Sequence, residues 1–188
     1  MTTDQRGDVG SWVRLACMDS LGHVFCDWDV DVPALESAWV DMVGMLMERI
    51  DAVRVKAGHI VRRVADIHAT ALPNGESILA VVAEPEELRN APYAFSVLVP
   101  LMSLERYRAS LLYTLSRTIG SRSEMALREA GQALVDWALT VPDECVHDIL
   151  VLLHHRAQSH ARENRVFVPI LQTILLLLDW DVHKRKSE

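Results

Sequence analysis

A short pattern that returns at intervals of roughly 40 residues constrains this chain more than any other feature. Asp51-Ala52-Val53-Arg54 is followed, four positions after the valine, by Ala57, and Val13-Arg14, with Asp8 six positions before the arginine, is followed by Cys17. Leu127-Arg128 is followed by Ala130 and Gly131, and Arg165-Val166 is a weaker echo. Val13 and Val53 lie 40 residues apart, Val53 and Leu127 74, and Leu127 and Val166 39. The middle interval is close to two periods. An apolar residue, a cation beside it and a small residue one turn later is the pattern of a helix whose neighbour must approach closely.

A period of this length belongs to stacked helix pairs, which repeat every ~40–47 residues. The expected fold class is therefore all-α, an α-solenoid of HEAT- or armadillo-like repeats, with 1–188 as a single segment. The alternative is an irregular helical bundle whose similar helices coincide.

The remaining sequence fills in the helices. Gly7 to Leu21, GDVGSWVRLACMDSL, opens the first one, with Asp8 and Ser11 offering caps and Trp12, Val13, Ala16, Cys17, Leu21 and Val24 forming one apolar face. Pro33 to Ile50 reads as an outer helix burying Leu35, Trp39, Met42, Val43, Leu46 and Ile50. Val53 to about Leu72 is its inner partner, with Val53, Ala57, Ile60, Val64 and Ile67 on the core face. Pro73-Asn74-Gly75 is turn chemistry. Between 73 and 103 the repeat is expected to degenerate into a longer connection holding Ile78 to Val82, the acidic run Glu84-Pro85-Glu86-Glu87, and a short helix from Pro92 to Met102. Ser103 or Leu104 to Ile119 is the next full helix, with Tyr107, Leu111, Leu112, Leu115 and Ile119 buried and Gly120 as its stop. Ser121 and Glu124 form a capping box for a helix through Leu139, Pro142 opens one through His160, and Asn164 caps the last, which reaches Trp180. On that last helix Leu171, Ile174, Leu175 and Leu178 are expected to pack inward. Ile170, Leu176 and Leu177 are then left over, to be covered by a second copy, by the tail, or by a further repeat, so weak self-association through this helix follows. The tail His183-Lys184-Arg185-Lys186 is expected to be disordered.

Composition excludes several function classes. A net charge of −7 argues against nucleic acid as a general partner. The longest apolar stretch, Val166 to Leu178, is broken by Pro169 and Gln172 and falls short of the ~20 residues a bilayer span requires, so no membrane is expected. The amino terminus shows no apolar run of a secretion signal, and Cys17, Cys26 and Cys145 have no paired spacing, which suits reduced thiols in the cytosol. Asp27, Asp29 and Asp31 imitate the start of a calcium loop, but Val32 stands where a glycine is needed and Ala38 where a bidentate glutamate is needed. His154, His155 and His160 lack the i, i+4 spacing of a helical metal pair. The sequence points to no catalytic residue, no metal and no cofactor, and the protein is expected not to be an enzyme. The candidate partner-binding residues are Arg54, Lys56, Arg62 and Arg63, outside the core face of the most basic helix. Each aspartate of the repeated pattern is expected to cap its helix or meet an arginine.

Four stretches carry a resemblance. GDVGSWVRLACMDSL and the Trp-containing helix ending ERIDAVRVKAG resemble the C-terminal region of the tubulin-folding cofactor D family, the tubulin-specific chaperones D. ENRVFVPILQTILLLLDW and Tyr107-Arg108-Ala109-Ser110-Leu111-Leu112 are similar to later parts of the same region. The likeness spans nearly the whole chain and is loosest from 73 to 103. It implies a HEAT and armadillo solenoid that is cytoplasmic and cytoskeleton-associated. The implied partners are β-tubulin or αβ-tubulin, cofactors E and C, and an Arf-like small GTPase. The implied role is heterodimer assembly and disassembly, in a machine that stimulates GTP hydrolysis by tubulin. Family members are several times longer, so the chain is expected to be a piece of one. The competing expectation is a structural scaffold with no partner surface of its own.

Overall fold

The computed structural model describes residues 3–4, 7–28, 31, 35–121 and 124–187. Among these the one extended pairing is a two-residue antiparallel ribbon, β1 (Thr3–Asp4) with β2 (Gly7–Asp8); everything else regular is helical. Pro33 as a helix start, Asp29 and Val32 of the aspartate turn, and the side chains of Asp8 and of the basic tail lie outside the described residues. The chain divides into two compact units, Met1–Asn90 and Ala91–Glu188, and the division falls inside the 73–103 stretch where the repeat is expected to degenerate.

The first unit is assembled on α3 (Asp51–His68), which packs against α1 (Val9–Asp27), α4 (Gly75–Val81) and the 3-10 turn Pro85–Arg89. α2 (Glu36–Gly44) is shorter than its apolar pattern suggests. It gives way to a 3-10 turn at Met45–Met47 and to extended backbone at Glu48 before α3 begins. Trp39, Met42, Val43 and Leu46 are fully or nearly fully buried as expected, whereas Leu35 and Ile50 are only half-buried. On α3 the expected Val53, Ala57, Ile60 and Val64 are buried, but Ile67 is exposed. Asn74 takes a left-handed backbone (φ 51°) and ends the connection into α4. Gly58 lies where α3 meets the 85–89 turn; a Cβ there would stand 2.7 Å from a Leu88 methyl and 3.1 Å from Pro85 Cβ.

α1 runs alongside α3 in the same direction. Lys56 pairs with Asp19 at 2.6 Å and Arg63 with Asp27 at 2.7 Å, so partners advance together along both helices, 37 and 36 residues apart in sequence. The face of α1 that meets α3 carries Met18, Gly22 and Phe25. The expected face is corrected here: Trp12, Val13, Ala16 and Cys17 point to solvent, and Leu21 and Val24 are half-buried. α1 is apolar on most of its circumference, so its three-and-four spacing fits more than one face.

The second unit is assembled on α6 (Glu105–Ile119), which packs on α7 (Glu124–Thr140), α8 (Asp143–Ser159) and α9 (Asn164–Ser187), while α5 (Ala91–Leu98) meets α7 and leads into a 3-10 turn at Val99–Ser103. All five residues expected in the core of α6, from Tyr107 to Ile119, are buried. Gly120 follows the last turn, and a Cβ on it would sit 2.5 Å from Pro169 Cα, so the glycine lets α6 abut α9. Within this unit α6 and α8 again advance together. Arg108 meets Asp148 and Arg156 meets Tyr113, at separations of 40 and 43 residues.

α9 corrects the expected face. Ile170 and Leu177 are buried with Thr173 between them, whereas Leu171, Leu175 and Leu178 are exposed and Ile174 is half-buried. Pro169 is also inward, and the Thr173 hydroxyl donates to its carbonyl at 3.0 Å. The helix continues to Ser187, through the stretch expected to be disordered. No helix among the described residues is long and apolar enough to cross a membrane.

Candidate functional site

The four candidate residues of α3 do not form one surface. Lys56, Arg62 and Arg63 are part-exposed along its outer edge. Arg54 is buried, with 1 % of its surface accessible, which corrects the expectation that it lies outside the core. Its guanidinium donates to Leu88 O at 2.6 Å, Glu48 O at 2.8 Å, Arg89 O at 3.2 Å and Arg49 O at 3.3 Å. A planar cation with five donors suits two short chain segments that present carbonyls inward. Burial lowers the Arg54 pKa, and Asp51 and Glu48 nearby oppose that shift. Arg54 therefore holds α3 to the turns at 48–49 and 88–89.

The exposed cations carry acidic neighbours. Lys56 meets Asp19, Arg63 meets Asp27, and Arg62 faces Asp66 at 3.8 Å while donating to the Ala83 carbonyl. A hydrogen bond from His23 and the charge of Arg63 hold the Asp27 carboxyl below its ordinary pKa. Glu86 is lowered in the same way, first by its hydrogen bond to His59 and then by Arg89. Burial raises the thiol of Cys26 beside them, against the opposing pull of Arg63. Of the aspartates in the repeated pattern, Asp51 accepts from its neighbour's amide at 2.7 Å and faces Arg89 at 3.8 Å. Arg14 meets Glu48 at 3.0 Å. The outer edge of α3 is thus an alternation of charges paired within the unit.

The histidines stand apart. The rings of His154 and His155 are 6.0 Å between centroids, and His160 is bound to Glu163 at 3.0 Å. Among the described residues no three His, Cys, Asp or Glu side chains gather as a metal site would require.

Sequence reasoning passed over one arrangement in the second unit. A cleft of about 280 Å³ opens between α6 and α8, lined by Leu112, Tyr113, Leu153, Arg156 and Ile170 among others. The Arg156 guanidinium carbon lies 3.7 Å from the centroid of the Tyr113 ring, and that of Arg117 lies 5.8 Å from the same centroid. The i, i+4 pair Tyr113 and Arg117 was legible, but Arg156 reaches the ring from another helix 43 residues on. A second depression, about 470 Å³, lies between α5, the 99–103 turn and α7, where the Trp137 indole donates to Ser103 Oγ at 3.1 Å.

Comparison with known proteins adds one positive finding. The family described as tubulin folding cofactor D C terminal matches residues 36–186. No solved structure matches the chain.

Proposed function

The chain belongs to the tubulin folding cofactor D C-terminal family, and on that premise we propose that it is a protein-binding module taking part in β-tubulin capture and αβ-heterodimer assembly and disassembly. The single observation that carries this reading is the family match over residues 36–186. Lateral pairing of parallel helices about 40 residues apart supports the repeat architecture that goes with it, because stacked repeats present extended surfaces to a folded partner. In this reading the partners are tubulin, cofactors E and C and an Arf-like small GTPase, the setting is the cytoplasm, and the chain contributes binding with no chemistry of its own to the GTP hydrolysis that the assembled machine stimulates.

The test is to mix the purified chain with αβ-tubulin, and separately with each cofactor, and follow sedimentation velocity. Association at roughly tens of micromolar is expected, the range in which a transient complex is populated. Absence of any complex with all of them would reduce the chain to a structural spacer.

A further inference from the structure

We propose that the cleft between α5, the 99–103 turn and α7 takes an arginine side chain of a partner protein, with Asp136 holding the guanidinium and Pro100, Ala133 and Val141 supporting the stem. The inference deepens the protein-binding reading and rests on it for the ligand belonging to a protein, though not for the partner being tubulin.

The polar groups of this cleft are left as acceptors. Asp136 takes one hydrogen bond, from the Gln132 side-chain amide at 2.8 Å, and a neutral donor leaves the carboxylate's charge uncompensated. Ser96 Oγ gives its hydrogen to Tyr93 O at 2.8 Å, and Thr140 Oγ1 gives its own to Trp137 O at 2.8 Å, so both oxygens have only lone pairs to offer. Ser103 Oγ accepts from the Trp137 indole at 3.1 Å and keeps its hydrogen. Asp136 and Thr140 stand one helical turn apart on one face of α7. Ser96, Ser103, Asp136 and Thr140 are all exposed, so solvent reaches the acceptors, whereas Trp137 is buried and forms only the back wall.

The complement of such a lining is a cation that carries several donors. Among the described residues no Lys, Arg or His lines the cleft and none pairs with Asp136, whereas Glu129 on the same helix has Arg128 and Asp148 has Arg108. A net charge of −7 favours the approach of a cation and opposes that of an anion. A metal ion would need more ligating side chains than one carboxylate, and among the described residues no three His, Cys, Asp or Glu gather. The acceptors stand on two walls, Ser96 on α5 and Asp136 and Thr140 on α7, which suits a planar fork of five donors better than a compact ammonium. Pro100 is exposed and Ala133 and Val141 are half-buried, so the aliphatic stem of the ligand has an apolar surface to lie on. The volume, about 470 Å³, falls within the ~300–1,000 Å³ of ligand sites and leaves room for flanking backbone.

The experiment follows the indole N–H resonances of the isotope-labelled whole chain by NMR, with the Trp137 signal assigned by its loss in W137F. That group donates to Ser103 inside the cleft, so its shift reports occupancy. The probe is the peptide acetyl-Gly-Arg-Gly-amide, and the controls carry citrulline, which has the same length without the charge, or lysine in place of arginine. A saturable Trp137 shift with a Kd on the order of 10⁻³ M is expected, weakening with salt. The lysine peptide should bind several-fold more weakly and the citrulline peptide should leave the signal in place. D136N should weaken the arginine peptide about tenfold, with an unchanged melting curve because Asp136 is exposed. Equal binding of the citrulline or lysine peptide, undiminished binding by D136N, or a Trp137 signal that stays fixed at roughly 10 mM arginine peptide overturns the site. A chain that takes the arginine peptide but forms no complex with αβ-tubulin or the cofactors keeps this site and overturns the proposed function; tubulin binding without peptide binding does the reverse.

Discussion

Arg54 shows how far a single residue can depart from its type. Arginine is almost never fully buried without a partner, and in sequence Arg54 reads as one more cation on a basic helix. Its partners are backbone carbonyls at 48, 49, 88 and 89, and carbonyls leave no signature in a sequence. The same blindness hid Arg156, whose aromatic partner lies on a separate helix. By contrast Lys56, Arg62 and Arg63 sit on the exposed edge where helical spacing puts them. Arg54→Ala is expected to cost about 3–6 kcal/mol, since the bonds to the Leu88 and Glu48 carbonyls are buried, each such carbonyl stranded costs ~1–3 kcal/mol, and a void is left as well. Arg54→Lys should recover only part of this, because an ammonium cannot span the same fork. Urea melts of both variants check the prediction; a loss below about 1 kcal/mol for alanine would show that the carbonyls find other donors.

At the scale of elements, legibility followed amphipathicity. α6 carries polar residues opposite its apolar ones, so one face was singled out, and all five expected core residues are buried. α1 and α9 are apolar nearly all round, and for such helices period alone does not fix rotation. In α9 the inward stripe is Ile170, Thr173 and Leu177, and the outward one is Val168, Leu171, Leu175 and Leu178. The exposed stripe is thus the one that the spacing predicts to be buried. Leu177→Ala is expected to destabilise by about 2–5 kcal/mol, whereas Leu175→Ala, at a position 59 % exposed, should stay within about 0.5 kcal/mol. Thermal melts distinguish the two, and equal losses would mean that α9 is rotated from the orientation described. Gly120 explains why α9 can come so near: its backbone lies where any larger residue would strike Pro169.

For the molecule as a whole, the all-helical class was evident from the sequence, which reads as a single segment with a looser connection at 73–103. The division into two units at Asn90–Ala91 was not evident, because it depends on which helices share a core rather than on any local composition. The three candidate residues that α3 leaves part-exposed give a prediction at this scale. Reversing charge at Lys56, Arg62 and Arg63 together should weaken association with tubulin while leaving the fold intact, because exposed pairs contribute only ~0–1 kcal/mol each. Sedimentation of the triple variant with αβ-tubulin, beside its melting curve, provides the check; undiminished association would move the surface elsewhere. The lateral pairing of α1 with α3 has one more consequence, and it concerns time. Asp27 must wait for Arg63, 36 residues later, before the two helices can be joined. During synthesis at ~5–20 residues per second that is roughly 2–7 s in which α1 stands without its neighbour. Met18 and Phe25 are then as bare as Trp12 and Val13 remain in the finished fold. A chain assembled from side-by-side helices is therefore open to premature association at each growing end, an interval that helices joined by short hairpins do not have.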